Sequence, residues 1–172
     1  MNFDDVILNR RSIRKYLDED VSSDDLYKII QFGIYAPSAH NRQPWKVKIL
    51  KGDKKNLVAD ALFAKASLDS SISNTARIIK EAPVLIVVFY DKGDGRRDND
   101  MLSIGAFVEN MHLKCTEMGY GSLWIANTNY VKEEISEITG ISLECVSSLA
   151  VGKSLESPKM RPRKSLEEIM VK

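Results

Sequence analysis

Four cations and a hydroxyl fall within six residues of the chain, in the run Arg10-Arg11-Ser12-Ile13-Arg14-Lys15. Arginine presents a planar fork of N–H donors that grips phosphate through two parallel bonds. A second basic run, Lys159-Met160-Arg161-Pro162-Arg163-Lys164, stands at the far end of the sequence. The two runs are either solvated charged faces or two halves of a site for one phosphate-bearing ligand. A third segment, Ala36-Pro37-Ser38-Ala39-His40-Asn41-Arg42-Gln43-Pro44-Trp45, mixes two prolines with small residues and amides. Ser38, Asn41 and Gln43 can both donate and accept hydrogen bonds. Such a stiff polar stretch serves a ligand or simply connects two elements.

The other familiar kinds of active group are missing from the pattern. His40 and His112 have no Cys, Asp or Ser at a spacing that suggests a metal or a triad. Gly93 and Gly95 make a G-x-G pair without the third glycine and helix start of a dinucleotide site. No paired carboxylates or nucleophile with its base can be picked out. Chemistry without side-chain acids and bases fits an enzyme whose cofactor does the work.

Positioning these residues takes helices and strands in alternation. Phe3 to Asn9 reads as a short opening helix. Ser22 to Asp25 resembles a capping box that starts a helix running to about Ala36, burying Leu26, Ile29, Ile30 and Ile34, with Pro37 as its stop. Trp45 to Leu50 alternates as a half-buried strand. Asp53 to Ala66 and Ile72 to Lys80 read as helices. Pro83 to Tyr90 is a β-branched run expected at the centre of a sheet, covered on both faces. From Asn99 to Met118 the residues Met101, Ile104, Val108, Met111, Cys115 and Met118 lay one apolar stripe along a long helix, which Gly119 ends. Such a stripe is core, or packs on a twofold mate. Tyr120 to Ala126 and Val146 to Val151 read as strands, with a short helix from Val131 to Ile138 between them and Gly140 at its end. Ser165-Leu166-Glu167-Glu168 is a capping box for a last helical turn. The class is α/β or α+β, with helices packed on a central sheet.

With 172 residues, 44% of them hydrophobic and 28% charged, the chain suits one domain over residues 1–172. A formal net charge of +1 gives no global pull toward nucleic acid or membrane, so an anion must be held by a local cluster. The acidic start Met1-Asn2-Phe3-Asp4-Asp5 does not read as a secretory signal. The longest apolar stretch, Ala82 to Tyr90, is far short of a membrane span, which takes about 20 residues. Cys115 and Cys145 are isolated from each other and from other metal ligands, so neither a disulfide framework nor a metal site is expected. The expected compartment is the reducing cytoplasm.

Five pieces in order resemble the nitroreductase superfamily of FMN enzymes. They are Arg10 to Arg14; Ala36 to Trp45; Glu81-Ala82-Pro83 ahead of the buried strand; the long helix closing in Gly119-Tyr120-Gly121-Ser122-Leu123-Trp124-Ile125; and Arg161-Pro162-Arg163-Lys164-Ser165-Leu166-Glu167-Glu168-Ile169. The resemblance implies an α+β fold, a central mainly antiparallel sheet flanked by helices, with the long helix at a homodimer interface that carries two FMN sites. It implies that Arg10, Ser12 and Arg14 meet the phosphate, ribityl chain and pyrimidine side of FMN, with Arg11 contributing through backbone or side chain. Arg161 and Arg163 complete the phosphate site. Pro37, Ser38, Ala39 and Asn41 come from the partner subunit, and Asn74 and Arg77 fall at the family's spacing for the pyrimidine ring. Ile125, Ala126 and Asn127 offer backbone groups to the flavin N5 and O4 edge. The implied reaction passes electrons from NADH or NADPH through flavin N5 to nitroaromatic, quinone or similar acceptors by a ping-pong route, with no catalytic side chain. Dehalogenation, flavin cleavage and flavin binding without turnover are the alternatives on the same fold. The sequence stops soon after the closing motif, which implies an open active site without the covering helices of larger relatives.

Overall fold

The computed structural model describes residues 1–67 and 69–171. Its centre is the strand that the sequence marks most strongly. Val84–Tyr90 (β2) is buried at all seven positions, because both of its faces carry β-branched or aromatic side chains that need cover. Trp45–Lys51 (β1) and Glu144–Gly152 (β4) flank it, and Gly121–Ile125 (β3) forms the far edge, in the order β1-β2-β4-β3. Every pairing is antiparallel, from Trp45 opposite Tyr90 to Gly121 opposite Gly152. The β2–β4 ladder skips one residue where Val88 faces Ser147 and Phe89 faces Cys145, a bulge that bends β4 locally. The class is thus α+β.

The alternation of β2 splits the core in two. Leu85, Val87 and Phe89 point toward helices Gly52–Ala64 (α3), Ser70–Glu81 (α4) and Lys132–Thr139 (α6), where they meet Val58, Leu62, Ile72, Ile79 and Ile135. Val84, Ile86, Val88 and Tyr90 point toward Ser23–Gly33 (α2) and Arg97–Glu117 (α5). The expected stripe on α5 faces the sheet: Ile104, Val108, Met111 and Cys115 are buried, while Met101 and Met118 at its ends are half-buried. Each fully buried Leu, Ile or Met of these layers contributes about 1.5–3 kcal/mol relative to exposure. Phe107 of α5 stacks on Trp45 with ring centroids 4.8 Å apart, which seats α5 against the start of β1.

Two helices end sooner than their sequence pattern suggests. The α2 helix stops at Gly33 rather than near Ala36, and Ile34 is exposed, not buried. The ring of Pro37 conflicts with a helical carbonyl four residues earlier, which is that of Gly33. Gly33 is also where the helix touches α5, since a β-carbon there would lie 2.8 Å from the Phe107 ring and 2.9 Å from Met111 Cγ. The α3 helix ends at Ala64, with Lys65 and Ala66 in a following turn. The short helices Phe3–Asn9 (α1) and Leu166–Ile169 (α7) lie where expected, and both start with a reciprocal capping box, Asn2 with Asp5 and Ser165 with Glu168. Gly140 ends α6 in the left-handed conformation, φ 69°, a geometry a glycine adopts without a β-carbon clash. No helix among the described residues is long and apolar enough to cross a membrane.

Candidate functional site

The two basic runs meet, and short backbone ladders bring them together. Leu17 N–H donates to the Lys153 carbonyl and Leu155 N–H to that of Lys15, while Tyr16 bridges Ser154. The segment after β4 is thereby paired with the segment before α2. Upstream, Ser12 bridges Ser122 in parallel, and Ile13 N–H donates to the Ser122 carbonyl over 3.0 Å. This uses the free edge of β3, whose unpaired groups would otherwise face water. Gly121 permits the approach, because a β-carbon there would sit 2.8 Å from Ile13 Cγ2. Glu156 then accepts the Arg14 backbone N–H, locking the two strands beyond their ladder.

The result is a cleft of about 180 Å³ lined by Arg10, Arg11, Ser12 and Arg14 on one side and Lys159, Arg161 and Arg163 on the other. Arg10 Nε lies 3.4 Å from Glu109 of α5. Among the described residues the cations at 11, 14, 159, 161 and 163 have no carboxylate within salt-bridge distance. Arg11 donates from Nη1 to the carbonyls of Leu8 and Arg10, and its Nε is buried with no partner. A buried donor left unpaired costs about 1–3 kcal/mol. Five cations facing one hollow without counter-charge is repulsive in itself. A dianionic group would relieve that repulsion.

The other expected site residues fall into two groups. The β3 strand links one of them to the cleft. Just past its C-terminal end, the Asn127 side-chain amide donates to Ser71 Oγ (3.2 Å) and Thr75 Oγ1 (2.9 Å) of α4. Asn74 lies between those two contacts on the same helix, and Arg77 donates to Asn74 Oδ1 over 2.9 Å while pairing with Glu81. Ile125 is buried, Ala126 exposed and Asn127 half-buried. Ser122 and Ile125 are about 10 Å apart along a strand, so β3 carries the basic cleft near one end and the Asn74, Arg77 and Asn127 cluster at the other.

Pro37, Ser38, Ala39 and Asn41 are not in the basic cleft. Pro37, Ser38 and Ala39 line a separate depression with Leu102, Ser103 and Ala106 of α5. The loop is strained: His40, Asn41 and Gln43 all have positive φ, at 53°, 53° and 49°. Each such residue costs about 1–2 kcal/mol unless its surroundings hold it. Ser38 Oγ accepts the Gln43 N–H over 3.0 Å, and Asn41 Oδ1 accepts from the Gln43 amide over 3.3 Å. Arg42 leaves the loop and donates through Nη2 to Asp100 Oδ1 at 2.8 Å. Asp100 is 1% exposed, and its other oxygen accepts the Tyr90 hydroxyl at 3.0 Å. Burial and then that bond to Asp100 raise the Tyr90 pKa above the ordinary phenol value.

Lys159, which lines the cleft, and Glu109 and Glu156, which hold its arginines, are absent from the residues singled out by sequence. Lys159 stands in the second basic run and could have been included on that ground. Glu109 sits on a helix face and Glu156 in a loop, with no local pattern to mark either. His112 is a core residue, 2% exposed, with Nε2 3.2 Å from the Ser122 carbonyl. Cys115 and Cys145 are free and buried, and burial pushes their thiols up to about 12 and about 11, which leaves them unreactive. Among the described residues no group of His, Cys, Asp or Glu could hold a metal ion.

With sheet, cleft and loop in place, the fold and site define an α+β protein with a basic cleft at a sheet edge. The sequence pattern of the Nitroreductase family matches residues 7–153, and the chain belongs to that family. YfhC of Bacillus subtilis (strain 168), provisionally named a NAD(P)H nitroreductase, is 26% identical over 175 aligned residues, covering 95% of this chain and 90% of its own. An Archaeoglobus fulgidus protein provisionally named an NADH dehydrogenase/NAD(P)H nitroreductase is 31% identical over 142 residues, 79% of this chain and 75% of its own. Among solved structures, a provisionally named nitroreductase of Desulfovibrio desulfuricans in complex with FMN superposes with a TM-score of 0.86 at 25% identity, covering 100% of this chain and 97% of that one. A BluB-like flavoprotein of Clostridium difficile 630 gives 0.81 at 28% identity, covering 99% and 98%.

Proposed function

We propose that this chain is an FMN-dependent NAD(P)H oxidoreductase of the nitroreductase type, working as a homodimer with each residue 1–172 chain forming one FMN-binding domain. The observation that supports it best is the cleft where Arg11, Arg14, Lys159, Arg161 and Arg163 converge without counter-charge. The FMN phosphate carries a charge of about −2 near neutral pH, and it suits that excess of positive charge.

In this reading Arg10, Arg11, Ser12, Arg14, Arg161 and Arg163 hold the phosphate and the ribityl side of the cofactor. Arg10 is oriented by Glu109, and Arg14 by its backbone bond to Glu156. Asn74 and Arg77 address the pyrimidine ring, and Ile125, Ala126 and Asn127 present backbone groups to the ring edge. Asn127 has its side chain committed to α4, which fixes the backbone it would offer. Pro37, Ser38, Ala39 and Asn41 are supplied by the second subunit, in keeping with their distance from the cleft of their own chain. When bound, FMN supplies the redox chemistry, taking hydride from NADH or NADPH at N5 and passing electrons to a nitroaromatic, quinone or similar acceptor in alternation. The protein's part is to bind, orient and set the field: cations near the pyrimidine side stabilise the reduced flavin and raise its potential.

The second copy is supported by an apolar hollow of about 500 Å³ between α1, α2 and α5, lined by Phe3, Val6, Phe32, Tyr35 and Leu113. Phe3 is 71% and Tyr35 73% exposed in the single chain, an apolar face of the kind that oligomers cover. The free, buried thiols fit the reducing cytoplasm. One neighbour favours a second reading: the likeness to a BluB-like flavoprotein fits non-reductive flavin chemistry on the same site.

The test is the purified protein itself. A yellow dimer with flavin absorption bands that oxidises NADH or NADPH only when a nitro or quinone acceptor is present supports the reading. Protein reconstituted with FMN that fails with every such acceptor, yet consumes oxygen and degrades the flavin, replaces it with the second reading.

A further inference from the structure

The loop Pro37–Gln43 carries three left-handed, non-glycine residues. Within it a 3-10 turn over Ala39–Asn41 is closed by Asn41 N–H to the Ser38 carbonyl (2.9 Å) and Arg42 N–H to the Ala39 carbonyl (3.2 Å), and the Ser38 and Asn41 side chains accept from Gln43. Among the described residues Arg42 is the one side chain of the loop with a hydrogen bond beyond it. That bond ends on Asp100, a carboxylate 1% exposed in the first turn of α5. Asp100 is held in turn by the Tyr90 hydroxyl at the end of β2. A third element closes over the pair. A β-carbon at Gly95 would lie 2.5 Å from Arg42 Nε and 2.5 Å from Asp100 Oδ2, so the backbone between β2 and α5 packs directly on the ion pair.

We propose that Arg42 and Asp100 are a positioning pair, holding the strained Pro37–Gln43 loop against α5 so that Ser38, Ala39 and Asn41 are preset to receive the flavin of the partner subunit. The inference rests on the flavin reading above. Neither residue touches the cofactor in this account. Their effect passes through the loop, whose competent fraction scales the apparent affinity. The pair is well suited to the task. A charged bond to a buried carboxylate is strong and directional, and Asp100 is already held by the Tyr90 hydroxyl. The backbone at Gly95 covers the pair from one side.

Two measurements separate the clamp from the cofactor reading. The first is amide hydrogen exchange of the full-length protein across residues 38–43. Arg42→Met keeps the length and removes the charge; it should speed exchange in that loop while leaving β2 and α5 protected. Gly95→Ala reaches the pair from the opposite side and should do the same. Arg42→Lys, which can still place a cation on Asp100, should restore much of the protection. The second is FMN titration by fluorescence quenching, with the visible circular dichroism of the bound flavin. If the loop falls to a competent fraction of about one tenth, Kd rises about tenfold in Arg42→Met. The dichroic band should change shape, and Arg42→Lys should recover it.

A loop that exchanges alike in wild type and Arg42→Met overturns the clamp, even if the protein binds FMN normally. Faster exchange with unchanged Kd and dichroism overturns the link to the flavin and leaves a merely structural bond. If wild type binds no FMN while Arg42→Met still loosens the loop, the cofactor reading is what has failed.

Discussion

Arginine does opposite things at two places in this molecule. In the cleft, Arg11, Arg14, Arg161 and Arg163 stand close together with no carboxylate partner. At the loop, Arg42 is paired at 2.8 Å with a buried aspartate that is itself tied to a tyrosine. The first arrangement is electrostatically incomplete and asks for an anion from outside. In the second the charge is matched inside the fold by a buried carboxylate, although Arg42 Nε is left without a partner, so the pair serves geometry. The contrast shows that a charge run takes its meaning from what is missing around it. An arginine whose charge is matched by a buried carboxylate of its own chain belongs to the frame.

The strongest way to break this contrast is to remove one partner from each arrangement and compare stabilities. Asp100→Ala strands Arg42 and the Tyr90 hydroxyl together, and should lower the unfolding free energy by about 3 kcal/mol. Arg161→Ala, at an exposed position with no protein partner, should stay within about 0.5 kcal/mol of wild type. Urea unfolding of the cofactor-free chains measures both. Equal losses would mean that the two sets of arginines are not distinguished by their surroundings.

A smaller effect is expected where the cleft leans on the sheet. Gly121→Ala places a methyl group against Ile13 and should cost about 1–2 kcal/mol of stability. It should also weaken FMN retention, since Ser12 is held to Ser122 beside it. Weakened stability with unchanged retention would uncouple FMN binding in the basic cleft from the β3 edge. Smaller still, Arg163→Ala should weaken FMN binding about tenfold, or about 1.4 kcal/mol, and make it less sensitive to salt, with unfolding unchanged. An unaltered Kd would remove Arg163 from the phosphate site.

The element pattern was legible because it is local. The seven apolar residues of β2 and the stripe on α5 follow from periodicity alone, and the helix starts at Ser22 and Ser165 follow from capping chemistry. The end of α2 was partly legible: Pro37 marks the stop, but the last turn at Gly33 and its contact with Phe107 and Met111, far off in sequence, were not. Likewise the convergence of residues 10–14 with 159–163 depends on backbone pairing at Tyr16 and Ser154, which no spacing rule shows; the family resemblance carried that step. The Arg42–Asp100 pair was invisible for the same reason. Its members are 58 positions apart, and a lone aspartate at a helix start reads as an ordinary favourable charge.

Lys55 offers a third setting for a cation and the smallest expected effect. Its ammonium group is buried, and instead of a carboxylate it finds the carbonyls of Ile79 and Lys80 at 2.7 and 2.8 Å, at the end of α4, with Asn56 Oδ1 at 3.0 Å. Burial, helped by the nearby charge of Lys80, lowers its pKa from 10.5 to about 8. The folded chain therefore releases this proton before the unfolded chain does. Below pH 8 both states carry it and the cost of burying the charge is full. Between about 8 and 10.5 the unfolded state binds more protons, so stability rises with pH through that window. Screening at the helix end limits the gain to about 1 kcal/mol by pH 9. Above pH 10 the trend is opposed by Tyr16 and Tyr120, whose phenols burial raises above 10.0, so the unfolded state ionises first. Lys55→Met should abolish the rise between pH 7 and 9 in urea unfolding. A rise that survives the substitution would assign it to another group and leave Lys55 as a charged cap on α4.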